Sequence, residues 1–173
     1  MCDIRKDKKM AEYWDLYDET GRKTGETHLR GTQVPEGRFH KVVHIWIRNS
    51  SGELLMQKRS DTVDNCPGEW ATTGGSVQAG EEPLETAVRE LEEEMGIMVA
   101  PEELSHCLTV RRKDSFCYVY VIQKDIPVET LQLQESEVAA VSWMSMEEME
   151  YMITEQMMHR YVYRDMLGQY LGE

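Results

Sequence analysis

The segment PLETAVRELEEEMG, residues 83–96, constrains the fold of this chain more than any other stretch of its sequence. Pro83 stands where the first turn of a helix tolerates proline, and Gly96 is a common residue just after a helix end. The apolar side chains between them recur at the spacing of one helix face, namely Leu84, Ala87, Val88, Leu91 and Met95. A helix with one apolar stripe buries that stripe against another layer, and we expect this layer to be a sheet.

Several extended segments around this helix supply the predicted sheet. Residues 12–30 read as two strands joined by a turn at 18–21, which predicts an N-terminal β-hairpin. FHKVVHIWIRN and ELLMQKR predict a second antiparallel hairpin, and SHCLTVRR and FCYVYVIQK predict a further pair of strands. VAAVSWM predicts one more short strand, whereas the glycine-containing segment ATTGGSVQAGE before the helix is predicted to be loop.

The two ends of the chain complete the predicted domain organisation. Residues 146–171 have helical spacing, which predicts one C-terminal helix. Its predicted packing face consists of Met149, Met152, Ile153, Gln156 and Met157. Residues 1–11 contain a short basic run and are predicted to be a disordered head. We therefore expect one domain over residues 12–173, of the α/β (α+β) class, in which helices sandwich a mixed sheet.

Charge and composition exclude several classes of partner. Nineteen Lys and Arg against 32 Asp and Glu give a formal charge of −13, which repels nucleic acid polymers. A small phosphate ester is repelled in the same way, so an acidic protein that acts on phosphates needs bound cations. No apolar run approaches the roughly 20 residues that span a bilayer, and the four cysteines form no CxxC pair. We expect a cytoplasmic protein that binds neither a membrane nor a nucleic acid polymer.

The predicted helix also carries an acidic face opposite its apolar stripe. Glu90, Glu93 and Glu94 stand at i, i+3 and i+4, where side chains lie roughly 5–6 Å apart on one side of a helix. Such a cluster is either an ordinary solvated face or a site for a hard cation such as Mg²⁺ or Mn²⁺. The glycine pair at 74–75, whose backbone can approach an ion or a phosphate, and the neighbouring Arg89 favour the cation site.

The fixed positions of this region also match a known signature. They are, in order, Gly75, Glu81, Arg89-Glu90-Leu91, Glu93-Glu94 and Gly96-Ile97. This pattern over residues 75–97 resembles the Nudix box, with every specified position filled. The resemblance implies an α/β/α sandwich and attack of water on phosphorus, assisted by Mg²⁺ or Mn²⁺. It also implies a small-molecule substrate, a nucleoside di- or triphosphate or a related nucleoside-diphosphate derivative.

The same resemblance assigns roles to individual residues. The metal ligands that it implies are three helix carboxylates and one carbonyl oxygen, namely those of Glu90, Glu93, Glu94 and Gly75. Arg89 and Glu81 form the implied pair that supports the loop and the helix. The general base is either Glu90 or Glu137, which precedes a late strand with Glu135 behind it. Phosphate contacts are expected from the backbone of Gly74 and Gly75 and from Arg59, which resembles a phosphate-contacting residue of the family.

A narrower resemblance extends from about residue 13 to residue 97. The order WDLYDETGR, FHKVVHIWI, LLMQKRSDT and CPGEW is similar to the Nudix branch related to isopentenyl-diphosphate isomerase. In the isomerase a cysteine precedes the box glycine and a histidine follows it, whereas this chain has Gly74 and Ser76. His40 matches an isomerase metal ligand, His44 follows it on the same strand face, and Cys66 lies in a different loop. The missing thiol disfavours isomerisation.

Three functions remain open at the level of sequence. The complete box favours a metal-dependent hydrolase that cleaves a diphosphate linkage. An isomerase of allylic diphosphates and a non-catalytic module that binds diphosphates are the alternatives. We expect a monomer or a homodimer, and we expect the segments outside the box to set substrate specificity.

Overall fold

The computed structural model describes residues 11–171 of the chain. Within that range it has nine β-strands, β1 Tyr13–Tyr17, β2 Lys23–Leu29, β3 His40–Arg48, β4 Leu54–Arg59, β5 Trp70–Ala71, β6 Thr73–Ser76, β7 Ser105–Arg111, β8 Ser115–Gln123 and β9 Val138–Met144. The helices are α1 Pro83–Met95, α2 Met146–Thr154 and α3 Arg164–Leu171. Residues 1–10 of the predicted disordered head lie outside the described residues. None of these helices is long and apolar enough to cross a membrane.

A mixed sheet forms the centre of the molecule. Its main path runs β5-β4-β3-β8-β7, while β6 pairs with β3 and β9 pairs with β4. The β3 and β8 strands are parallel, from the pair His40↔Ser115 to the pair Arg48↔Gln123. The predicted strand pair β7 and β8 is confirmed as antiparallel, and the strand predicted at 138–144 is β9.

The predicted hairpin of β3 and β4 is confirmed next to its turn, where the Asn49 NH donates to the Glu53 carbonyl at 2.9 Å, but the antiparallel register holds a single pair, Arg48↔Leu54. The prediction that residues 71–81 are loop throughout was wrong. The edge of β3 is occupied instead by β6, which lies in a segment predicted to be loop and pairs Thr73–Ser76 with 42–45. As a result β4 diverges from β3 and pairs along its length with β9.

The α1 helix covers one face of the sheet, as predicted. It begins at Pro83 and ends at Met95, and Gly96 follows in the left-handed conformation at φ 68°. Ala87, Leu91 and Met95 are fully buried against the apolar side chains of β3, β4 and β8. Full burial of a leucine side chain contributes about 1.5–3 kcal/mol, so the burial of this stripe is a main reason why α1 packs on the sheet.

The opposite face is covered by the C-terminal region, which makes the fold the predicted α/β/α sandwich. One continuous helix over 146–171 was a wrong prediction, because α2 ends at Thr154 and α3 starts at Arg164. The chain leaves the helix at Gln156, whose φ is +58°, and then hydrogen-bonds to β5. Met149 of the predicted packing face is buried, whereas Met157 is 48% exposed. The intervening Tyr161 and Tyr163, with the side chains of α3, fill the space above the sheet.

The predicted N-terminal hairpin is confirmed as an antiparallel pair of strands, β1 and β2. Its turn is fixed by Asp18, whose carboxylate accepts hydrogen bonds from the backbone NH groups of Thr20 at 2.8 Å and Arg22 at 3.0 Å. The hairpin is a separate two-stranded sheet that lies against the start of β3 through the bridge Tyr17↔Phe39. It thus stands beside the loop that precedes α1.

Candidate active site on the acidic helix

The three glutamates predicted as metal ligands differ in exposure along the polar side of α1. Glu94 is buried at 6% exposure, the Glu90 side chain is 13% exposed, and the Glu93 side chain is 53% exposed. Among the described residues, these three carboxylates do not gather within 4.8 Å of one another. Mutual repulsion of like charges favours such spreading unless a cation neutralises them.

Arg89 joins these glutamates to the predicted supporting residue Glu81. Its Nε and a terminal nitrogen donate to the two Glu81 carboxylate oxygens at 2.9 and 3.1 Å. The other terminal nitrogen lies 2.8 Å from Glu93 Oε2 and 3.0 Å from Glu90 Oε1. Such a fork fixes orientation as well as charge, because two parallel bonds define a plane. The guanidinium also lowers the pKa of Glu81, although burial acts in the opposite direction.

Glu94 is held by a residue that the sequence analysis missed. Gln57 of β4, 1% exposed, donates from Nε2 to Glu94 Oε2 at 3.0 Å, and Gln57 Oε1 accepts from the Thr73 hydroxyl at 3.3 Å. Burial, followed by the nearby charge of Glu90, raises the pKa of Glu94 to about 8. One signal for this role was available in the sequence. Gln57 is two residues from Leu55 on β4, so both side chains point to the sheet face that packs against α1.

Glu90 lies directly against Gly75 of β6. A Cβ added at Gly75 would overlap the Glu90 carboxylate, so only glycine leaves room for this side chain. Burial raises the pKa of Glu90, and the charge of Glu93 adds to this effect while Arg89 opposes it. The Gly75 backbone thus forms a glycine cradle for the Glu90 carboxylate, and carbonyl and carboxylate oxygens are the ligands that a hard divalent cation prefers.

Gly74 has a different neighbour. A Cβ at this position would overlap the backbone carbonyl of Val43 and press on the His44 ring. The cysteine that the isomerase carries here therefore has no space on this backbone. His44 itself lies on the sheet face opposite α1, where it contacts the Tyr163 hydroxyl. Burial lowers the pKa of His44 to about 3, so its ring is neutral at ordinary pH.

Arg59 and Glu137 lie where β4 ends and β9 begins, because Arg59 pairs with Val138, the first residue of β9. The backbone NH of Ser60 donates to the Glu137 carbonyl at 2.9 Å, and Arg59 Nε donates to the Asn65 carbonyl at 2.8 Å. Their opposite charges both reach Glu94, since Arg59 lowers its pKa and Glu137 raises it. The structure thus brings these two predicted residues to the same end of the sheet as the helix glutamates, while Glu135 is exposed.

The loop before α1 is fixed by the N-terminal hairpin, which the sequence analysis did not connect to the site. Buried Asp15 accepts a hydrogen bond from the Gly80 backbone NH at 2.7 Å, and Lys23 Nζ lies 2.6 Å from the same carboxylate oxygen. The Ala79 backbone NH donates to the Tyr13 carbonyl at 2.7 Å. No local sequence pattern predicts such contacts, because they join segments about 65 residues apart.

The two other residues singled out by the isomerase resemblance lie away from the glutamates. His40 is buried and stacks on Trp14, with ring centroids 3.9 Å apart and planes at 7°. Burial lowers the pKa of His40 to about 4. Strand alternation places His40 on the face of β3 that also carries His44, opposite α1. Cys66 is exposed in the loop between β4 and β5.

Comparisons with known proteins agree with this arrangement. The NUDIX domain family model matches residues 38–166. An uncharacterised Nudix hydrolase of Listeria monocytogenes is 36% identical over 140 residues, which cover 80% of this chain and 83% of that protein. Nudix hydrolase 3 of Arabidopsis thaliana is 33% identical over a 173-residue alignment, which covers 92% of this chain and 22% of that protein.

A solved structure extends the likeness to the fold. The crystal structure of a Deinococcus radiodurans protein has a TM-score of 0.74 at 24% identity and covers 91% of this chain and 98% of that one. The chain therefore belongs to the Nudix family, and this membership places it among the pyrophosphohydrolases as an enzyme class. The narrower resemblance to isopentenyl-diphosphate isomerase stays a prediction.

Proposed function

We propose that this protein hydrolyses the diphosphate linkage of a nucleoside di- or triphosphate or a related nucleoside-diphosphate derivative, with Mg²⁺ or Mn²⁺. The observation that carries the proposal is the contact between Glu90 and Gly75, with Glu93 and Glu94 beside it and Arg89 bonded to the group. In a chain of charge −13, a bound cation is also the means by which an anionic substrate can approach.

The proposed metal ligands are the carboxylates of Glu90, Glu93 and Glu94 and the carbonyl oxygen of Gly75. A divalent cation bound there would lower the pKa of a water ligand and would neutralise phosphoryl oxygens. The protein contributes position, because Gln57 holds Glu94 and Arg89 orients its neighbours. Good positioning of reactants can lower the activation free energy of a reaction by at most about 7–11 kcal/mol.

Substrate phosphates are proposed to contact Arg59 and the backbone at Gly74 and Gly75. Arg59 supplies a positive charge at the end of β4, beside the acidic helix face. Glycines allow the backbone to come close to an anion. These groups would hold the diphosphate while the carboxylates hold the cation.

Glu90 is our first candidate for the general base, and Glu137 is the second. Glu90 is favoured because its carboxylate lies against the Gly75 backbone, in the glycine cradle. Glu137 is supported by its charge, which reaches Glu94, and by its place at the same end of the sheet. The variant Glu137→Gln separates the two candidates. Full turnover would exclude Glu137 as the general base, whereas loss of turnover with unchanged metal affinity would identify Glu137 as the base.

The proposal is tested by a release assay with Mg²⁺ or Mn²⁺ across nucleoside di- and triphosphates, nucleotide sugars, dinucleotides and isoprenoid diphosphates. Glu93→Gln, which removes one ligand charge at an exposed position, is the inactive comparison, and Glu92→Gln on the outer side of α1 is the matched control. We expect turnover of one substrate class by the wild type and the control only. Substrate binding without release would favour a non-catalytic module, and proton exchange into isopentenyl diphosphate would favour the isomerase.

A further inference from the structure

A second group of metal-ligating side chains lies at the junction of two segments that the proposed active site does not use. Cys66 and Glu69 belong to the loop between β4 and β5, and His159 belongs to the connection between α2 and α3. One ligand atom of each residue, a sulfur, a carboxylate oxygen and a ring nitrogen, lies within 4.8 Å of the other two. The three residues are brought together by the fold, since His159 is far from the other two in sequence.

Backbone hydrogen bonds fix both segments in this position. The Trp70 NH donates to the Met157 carbonyl at 2.9 Å, and the His159 NH donates to the Trp70 carbonyl at 2.9 Å. On the loop side, the Glu69 NH donates to the Cys66 carbonyl at 3.4 Å. Cys66 has φ +49°, a left-handed conformation that is uncommon for a residue with a side chain. Such conformations persist where the surroundings hold them, often at functional positions.

We propose that Cys66, Glu69 and His159 form a binding site for a borderline-soft divalent cation such as Zn²⁺, with the fourth tetrahedral position open to water. Thiolate, imidazole and carboxylate are the three ligand types that zinc uses in proteins. Zinc ligand bonds of about 2.0–2.3 Å place neighbouring ligand atoms roughly 3.5 Å apart. A spacing within 4.8 Å reaches this geometry through small side-chain rotations.

The surroundings suit entry and binding of such a cation. Cys66 is exposed and the other two residues are half-buried, so the site opens to solvent. Burial lowers the pKa of His159, which favours the neutral imidazole that binds metal. Burial and the Glu69 carboxylate raise the pKa of the Cys66 thiol, so the cation would displace a proton from it.

The ligand types distinguish this site from the carboxylate site on α1. Mg²⁺ prefers oxygen ligands and gains little from a thiolate, whereas Zn²⁺ favours the mixed set. Arg59 is bonded to the loop that carries Cys66, since its Nε donates to the Asn65 carbonyl at 2.8 Å and its backbone NH donates to the Glu69 carbonyl at 2.9 Å. A cation at Cys66 would therefore tie the β4–β5 loop to the C-terminal connection next to the residue proposed to contact phosphate.

Titration of the full-length protein with Co²⁺ tests the site independently of any hydrolytic activity. Cobalt bound to a thiolate gives a charge-transfer absorption band, which carboxylate ligands do not produce. We expect the wild type to show this band at one equivalent and to lose it on addition of Zn²⁺. Cys66→Ser should abolish the band, and His159→Gln should weaken Co²⁺ binding by more than about tenfold, since even changes outside the ligand set cost that much.

Matched controls separate this site from other thiols and from the helix carboxylates. Cys107→Ser changes a half-buried thiol on β7 and should leave the band intact, as should Glu93→Gln on α1. The thermal midpoint of each metal-free variant shows whether it is folded, and His159→Gln decides the question if Cys66→Ser is not. Absence of the band in the wild type, its persistence in Cys66→Ser, or its loss in Cys107→Ser would overturn the proposal.

Discussion

Two adjacent glycines of β6 have different neighbours, so the same substitution at each should have different effects. An alanine at Gly75 overlaps the end of the Glu90 side chain, which can rotate away, whereas an alanine at Gly74 overlaps the rigid backbone of Val43. Gly75→Ala should reduce kcat/KM by about 100-fold, the effect of misplacing a catalytic group by about 1 Å, with little loss of stability. Gly74→Ala should lower the free energy of unfolding by about 1–3 kcal/mol.

Release kinetics and urea unfolding of the two variants, measured side by side, check this prediction. The two glycines share a strand and differ only in the side of the sheet that an added Cβ would meet. Equal losses of stability in both variants would contradict the assignment of Gly75 as the cradle for Glu90. Full activity of Gly75→Ala would contradict the position of Glu90 at the reacting centre.

Arg89 offers a second prediction at the scale of a single residue. Arg89→Lys keeps the charge but cannot form the two parallel bonds to Glu81 together with the contact to Glu93. We expect kcat/KM to fall by about 10–100-fold, as for other residues that orient metal ligands, while the thermal midpoint changes little. Arg22→Lys, at an exposed position between β1 and β2, is the control. Wild-type activity of Arg89→Lys would show that charge alone suffices.

At the scale of an element, the N-terminal hairpin should control the order of the loop before α1. Asp15→Ala removes the acceptor of the Gly80 NH and leaves Lys23 without its partner. Loss of a buried acceptor of this kind costs about 1–3 kcal/mol. We expect faster hydrogen exchange at the Gly80 amide and lower turnover. Asp18→Ala, which loosens only the hairpin turn, should leave Gly80 exchange unchanged, and the opposite ranking would refute the link.

The helix and the strands show which features the sequence could predict. The α1 helix, its buried stripe and its glycine end were predictable because all their determinants lie within 14 consecutive residues. The same locality explains the hairpin turn at Asp18. The β3–β8 pairing and the insertion of β6 were not predictable, because strand partners far apart in sequence are chosen by the packing of the whole sheet.

The candidate site divides in the same way. The box glutamates and Arg89 could be identified from spacing and resemblance, since they occupy one short segment. Gln57 and Asp15 could not, because each acts through a partner on another element. The end of α2 at Thr154 belongs to the same class, since the backbone of β5 captures the chain beyond Gln156 and competes with continued helix.

At the scale of the whole molecule, two buried histidines should make stability depend on pH. Burial lowers the pKa of His44 to about 3 and that of His40 to about 4, whereas both titrate near 6.5 in an unfolded chain. Below about pH 6.5 the two histidines bind protons in the unfolded state but stay neutral in the folded state until the pH reaches their lowered pKa values. Each histidine therefore contributes stability that is complete above pH 6.5 and decreases, by up to about 1.4 kcal/mol per pH unit, as the pH falls toward its folded pKa.

Urea unfolding between pH 4.5 and 8 in wild type and His44→Gln isolates this contribution. Glu94, with its pKa raised to about 8, has the opposite sign, because it loses stability as the pH rises from its unfolded value toward 8, but both proteins share it. The free energy of unfolding of the wild type, relative to that of His44→Gln, should therefore decrease as the pH falls below about 6.5. His106→Gln, at an exposed position on β7, serves as the control and should follow the wild type. If His44→Gln instead runs parallel to the wild type from pH 6.5 down to 4.5, His44 is protonated in the folded state, and the packing of Tyr163 over the sheet is looser than its contacts indicate.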